Sequence, residues 1–119
     1  MDSYNQLLTE IAAINPTWQA MQDLFTDKSP ITTSLRDLKG RLQLRLLREF
    51  SDRVYLTIDP EARGEPQYSV RLKLPVTINV DGKQERLTNA MHLPVRIVEK
   101  WLRKGLVTES EVDLWTKQG

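Results

Sequence analysis

A chain of 119 residues holds one compact domain's worth of sequence, and 17 Lys and Arg against 16 Asp and Glu leave it a formal charge of only +1. Hydrophobic residues at 39% and charged residues at 28% describe an ordinary globular chain, which excludes a disordered or fibrous class. No apolar run approaches the roughly 20 residues that span a bilayer, and the start Met1-Asp2-Ser3-Tyr4-Asn5 lacks the basic flank and apolar stretch of a secretory signal. The absence of cysteine excludes disulfides and thiolate chemistry, and a single histidine excludes a multi-histidine metal centre within one chain.

The first thirty residues read as two short helices. Tyr4, Leu7, Leu8 and Ile11 recur at helical spacing, Asn15-Pro16 stops the helix and restarts it, and Trp18, Met21 and Phe25 line the second face. Residues 26–33 read as a linker. Ser34 is the expected N-cap of a long helix to about Phe50. Leu35, Leu38, Leu42, Leu46 and Phe50 share one sector, while Leu44 and Leu47 form a second apolar strip facing other structure or a partner. Gly40, inside this helix, reads as a point of close approach or a kink.

The period then changes from 3.6 to 2. Val54, Leu56 and Ile58 alternate with polar neighbours in a strand over 53–59. After a polar loop, Tyr68, Val70, Leu72, Leu74, Val76, Ile78 and Val80 occupy every even position of a strand over 67–80, which predicts one dry and one wet face. Pro75 cannot donate to a ladder, so it marks a bend, a division or an edge. Asp81-Gly82 is a two-residue hairpin turn, followed by a polar edge strand over 83–88. Pro94 opens a helix carrying Val95, Ile97, Val98, Trp101 and Leu102. Gly105 is the expected left-handed C-cap, and Thr108 with Glu111 forms a capping box before a last helix with Val112 and Trp115. The segment from Lys104 to Glu111 (KGLVTESE) resembles the turn of short C-terminal helical modules (SHOCT-type) of some bacterial proteins, which implies a helix boundary there.

The order is ααα–βββ–αα, a single α+β domain over 1–119 in which a three-stranded antiparallel sheet packs its even face against the helices, the leucine-rich one above all.

Chemistry-bearing constellations are sparse. His92 is the residue to test as a catalyst, yet no serine is marked as its client and no nucleophile elbow is present. Acids do not cluster at metal or glycosidase spacing, and no glycine-rich loop cradles a phosphate. Neither enzyme activity nor a metal or cofactor is therefore expected. Arg41, Arg45 and Arg48 lie at i, i+4, i+7 on the long helix, and Arg53, Tyr55, Arg71 and Lys73 lie on the polar side of the sheet. Arginines interleaved with a tyrosine suit a nucleic acid, through phosphate contact and base stacking, and equally suit a solvated face. A DNA-reading helix-turn-helix at the C-terminus is rejected because Glu109, Glu111 and Asp113 would face the phosphates.

The expected role is a small non-enzymatic protein-binding module, an adaptor, inhibitor or regulatory accessory protein of a bacterium or phage, cytoplasmic and without membrane contact. Its partner is another protein or a second copy, bound through Leu44, Leu47, Trp101 and Trp115. The tryptophans have a plainer alternative as core residues. The alternative role is nucleic-acid binding through the arginine, lysine and tyrosine positions.

Overall fold

The computed structural model describes residues 3–14, 33–59, 64–80 and 82–117 in full, and the backbone alone of 15–24 and 30–32. Its elements are α1 (Ser3–Leu24), α2 (Pro30–Glu49), β1 (Val54–Ile58), β2 (Gln67–Val80), β3 (Lys83–Pro94), α3 (Val95–Arg103) and α4 (Glu109–Thr116). The fold is α+β around an antiparallel sheet of order β1-β2-β3.

Two helices, rather than three, precede the sheet. The expected break at Asn15-Pro16 does not occur, and α1 runs through it. A prolyl ring inside a helix removes the hydrogen bond to the carbonyl four residues back. Tertiary packing overrides that local cost: Tyr4, Leu7, Leu8, Ile11, Ala12 and Ile14 are all buried, and they seat α1 on β2 and β3. The face assigned to Trp18, Met21 and Phe25 lies outside the described residues. The next helix begins at Pro30, one turn ahead of Ser34, because a proline at the first helical position gives up no hydrogen bond. Of the expected linker, 30–33 is therefore helix and 26–29 lies outside the described residues.

Helix α2 packs on α1 and also reaches β1 and β3. Contact on two sides explains its wide apolar face. Leu42 and Leu46 are buried as the spacing predicts, but Leu47, expected on a strip for a partner, is fully inside the core. Leu38, near the middle of the helix, is half exposed instead. The roof over the sheet is thus shared by α1 and α2, and α1, rather than the leucine-rich helix, is the one seated on β2.

Period 2 holds over most of β2. Val70, Leu72 and Ile78 are buried and Tyr68, Val76 and Val80 half-buried. The exception is Leu74, expected inside and 77% exposed. Strand β1 pairs only with 68–72 of β2, and between Arg71 and Val76 the register with β3 shifts, the four residues 72–75 of β2 lying against the single Thr88 of β3. Leu74 and Pro75 ride on this bulge, where the proline's missing donor breaks no ladder. Val80 pairs with Lys83 and Gly82 has φ +79°, as a two-residue hairpin requires; Asp81 lies outside the described residues.

Strand β3 continues six residues beyond its expected end at 88. A second bulge gives it one extra residue between Asn89 and His92, opposite Arg71 and Ser69. Met91 takes the positive φ of +69° there, a costly conformation for a side chain of this size. Two contacts hold it. Asn89 Oδ1 accepts the Met91 N–H at 3.0 Å. The fully buried Gln43 of α2 donates from Nε2 to Ala90 O at 2.9 Å and His92 O at 3.1 Å, on either side of Met91.

Helices α3 and α4 follow the sequence closely. Gly105 has φ +73°, and the Thr108–Glu111 capping box is complete. Val98, Trp101, Val107 and Trp115 close the core, with α3 against β3 and α4 against β1. Among the described residues no helix is long and apolar enough to cross a membrane.

Candidate binding groove

The residues marked for protein contact separate in the structure. Leu47 and Trp115 are 0% and 1% exposed, core residues with no face for a partner. Trp101 is 8% exposed and Leu44 half-buried, and these two line one groove between α2 and α3. Gly40 lies on the α2 side of the groove. A Cβ there would meet Trp101 Cζ2 at 3.5 Å, so the α2 backbone passes close to the indole.

The groove encloses about 370 Å³. Its apolar floor is Leu44, Ile97, Trp101 and the half-exposed Leu106. Its walls carry Arg36 and Arg41 from α2, Arg96 and Lys100 from α3, and Lys104 just beyond, against a single carboxylate, Asp37. Arg96 is engaged, its Nε donating to Glu65 Oε2 at 2.5 Å. Arg41, Lys100 and Lys104 are exposed and have no carboxylate partner among the described residues. Sequence reasoning placed Lys104 only at a helix end and passed over Arg96 and Lys100. The available signal was their spacing, i, i+4, i+8, beside an apolar stripe.

The nucleic-acid set is dispersed. Arg41 is in the groove. Arg45 pairs with Glu49 at 3.2 Å along α2. Arg48 grips Glu111 with two nitrogens, Nε to Oε2 at 3.0 Å and Nη2 to Oε1 at 3.3 Å, and also donates to Leu106 O. Arg53 lies over the Tyr4 ring at 4.9 Å and the Phe50 ring at 5.7 Å, a cation–π clasp between α1 and the end of α2. Tyr55 and Arg71 remain together as direct cross-strand partners on the odd face, and Lys73 is exposed beyond them.

His92 lies in strand β3 rather than in a loop. Its Nε2 meets Asp59 Oδ2 at 2.5 Å, and Ser69 is its register partner on β2. A serine, a histidine and an aspartate thus come into one neighbourhood, but no hydrogen bond from Ser69 to His92 is present, and the hydroxyl lacks the base contact that activates a nucleophile. Among the described residues no three His, Cys, Asp or Glu group as a metal site. No protein-family model, curated protein or solved structure matches this chain.

Proposed function

We propose that the protein is a non-enzymatic binding module that captures an acidic, amphipathic segment of a partner protein in the groove between α2 and α3. One observation carries the reading: five cations and one carboxylate rim a cleft whose floor is apolar. Leucine-type side chains of such a segment would fill the floor over Trp101, and its carboxylates would pair with Arg41, Lys100 and Lys104. Apolar anchors give affinity, and complementary charge gives register and a fast encounter. The proposal keeps the cytoplasmic, bacterial or phage setting expected from the sequence.

The probe is a fluorescently labelled peptide with leucines on one helical face and glutamates along its flanks, measured by anisotropy. It binds the native chain, and the double variant Lys100→Glu, Lys104→Glu weakens it at least about tenfold. A single-stranded oligonucleotide runs in parallel. Preference for the oligonucleotide, with affinity falling steeply with salt, overturns the proposal in favour of nucleic-acid binding. The pairing of Tyr55 with Arg71 beside Lys73 is the observation that favours that second reading. Light scattering on the free chain identifies a second copy as occupant, an outcome that also overturns the acidic-segment reading.

A further inference from the structure

Behind the groove, on the other side of Arg36, α2 faces the bulged end of β3 across a separate cavity of about 430 Å³. Small-molecule sites commonly span about 300–1,000 Å³, so a compact ligand would fit. Its apolar walls include Leu35 and Met91, and its polar groups include Arg36, Lys39 and Asn89. Arg36 and Lys39, three residues apart on one helix, bring two positive charges to the same wall. Lys39 has no carboxylate partner among the described residues. Burial, and secondarily the charge of Arg36, holds its ammonium below the ordinary lysine range. Asn89 has committed its Oδ1 to the Met91 N–H, so the amide group it has left is a donor. The carboxylate lining the cavity, Glu65, accepts from Arg96 at 2.5 Å.

The wall opposite Lys39 is held in place before any ligand arrives. Met91 owes its left-handed backbone to the β3 bulge, and buried Gln43, one turn along α2 from Lys39, pins the carbonyls on both sides of it. Strained backbone fixed by surrounding contacts is a mark of a preorganised site. Gln43 Oε1 is itself buried and accepts no hydrogen bond among the described residues.

We infer that this cavity binds a small organic oxyanion, a carboxylate or phosphate monoester with a short apolar body, its head held by Lys39, Arg36 and the Asn89 amide and its body against Leu35 and Met91. An oxyanion supplies the charge that Lys39 lacks and an acceptor for the donor end of the Asn89 amide. This inference does not rest on the proposed peptide groove: Arg36 lines both, but Lys39 and Asn89 line only the cavity.

Hexanoate, hexyl phosphate and the neutral control hexanol are titrated into the labelled chain, with backbone amide shifts as the readout. At least one anion is expected to saturate, with the largest shifts at Lys39, Asn89 and Met91, and the head that binds more tightly identifies the natural one. Lys39→Met, checked by its melting curve, weakens that anion about tenfold, whereas Lys100→Glu leaves it unchanged. Hexanol binding as tightly as both anions, shifts confined to other residues, or equal affinity in a folded Lys39→Met chain would each overturn the assignment. Shift mapping on the native chain decides the matter if Lys39→Met fails to fold.

Discussion

Helix α2 has two flanks, and they use charge in opposite ways. Toward α4, Arg48 is consumed by the fold. It bridges to Glu111 and to the carbonyl of Leu106, and Glu111 at the same time closes the capping box with Thr108. Toward α3, Arg41 meets Lys100 and Lys104 across an open cleft with only Asp37 to offset them. A tryptophan goes with each flank: Trp115, one helical turn from Glu111 on α4, and Trp101 in the groove beside α2. Trp115 is sealed at 1% exposure, whereas Trp101 floors a groove. Arginine on a helix is thus no guide to function by itself. What distinguishes the flanks is whether the fold supplies the carboxylate.

The largest effect expected on the closed flank comes from Trp115→Ala. Removing a fully buried indole that seats α4 against β1 should cost about 3–5 kcal/mol. That is a large part of the roughly 5–15 kcal/mol typical of a domain. Urea denaturation measures it. A loss under about 1 kcal/mol would mean that α4 is not docked, and the two flanks would no longer differ.

How far the sequence could see follows the same division between local and distant pairing. Strand β2, its hairpin with β3, the Gly105 cap and the Thr108–Glu111 box were all legible, because each depends on residues a few positions apart. Leu74 was misplaced because a bulge resets the alternation, and a bulge is set by the partner strand. The Asn15-Pro16 break failed because a buried stripe outweighed a local preference. Gln43 and Arg48 were out of reach: their partners lie 47 to 63 residues along the chain. The groove was half visible, with Leu44 and Trp101 singled out for a protein partner and Arg41 for a nucleic acid. Lys39 carried no signal, because nothing local distinguishes a desolvated lysine from a solvated one.

A smaller effect tests the seam that joins the closed flank. Thr108→Ala removes the N-cap acceptor of Glu111 N–H and should cost about 1 kcal/mol. The same seam has a pH signature. Hydrogen bonding to Arg48, with help from Thr108, holds the Glu111 carboxyl below its ordinary value of 4.5. As pH falls, the unfolded chain takes up this proton first. The contribution of Glu111 is therefore whole above the ordinary carboxylate range and fades as pH drops through its lower folded value. Both partners are substantially exposed, so solvent keeps the effect small. Melting curves of the native chain and of Glu111→Gln, recorded across the acid range, should converge at low pH. A gap that stays constant with pH would show that Glu111 acts only through its uncharged contacts.

The finest test of the open flank is Gly40→Ala. Glycine inside a helix is less favourable than alanine by about 1 kcal/mol, because the unfolded chain gives up more freedom. The usual reason to retain such a glycine is that a methyl group would collide with a neighbour. Here the added Cβ would sit 3.5 Å from Trp101 Cζ2, an ordinary van der Waals contact. Substitution should therefore stabilise the chain by about 0.5–1 kcal/mol, seen as a higher melting temperature. Destabilisation of similar size would show that α2 lies closer to the indole than the groove allows. The cleft would then be shut like the seam with α4, and its unpaired cations would be a solvated edge instead of the rim of a binding site.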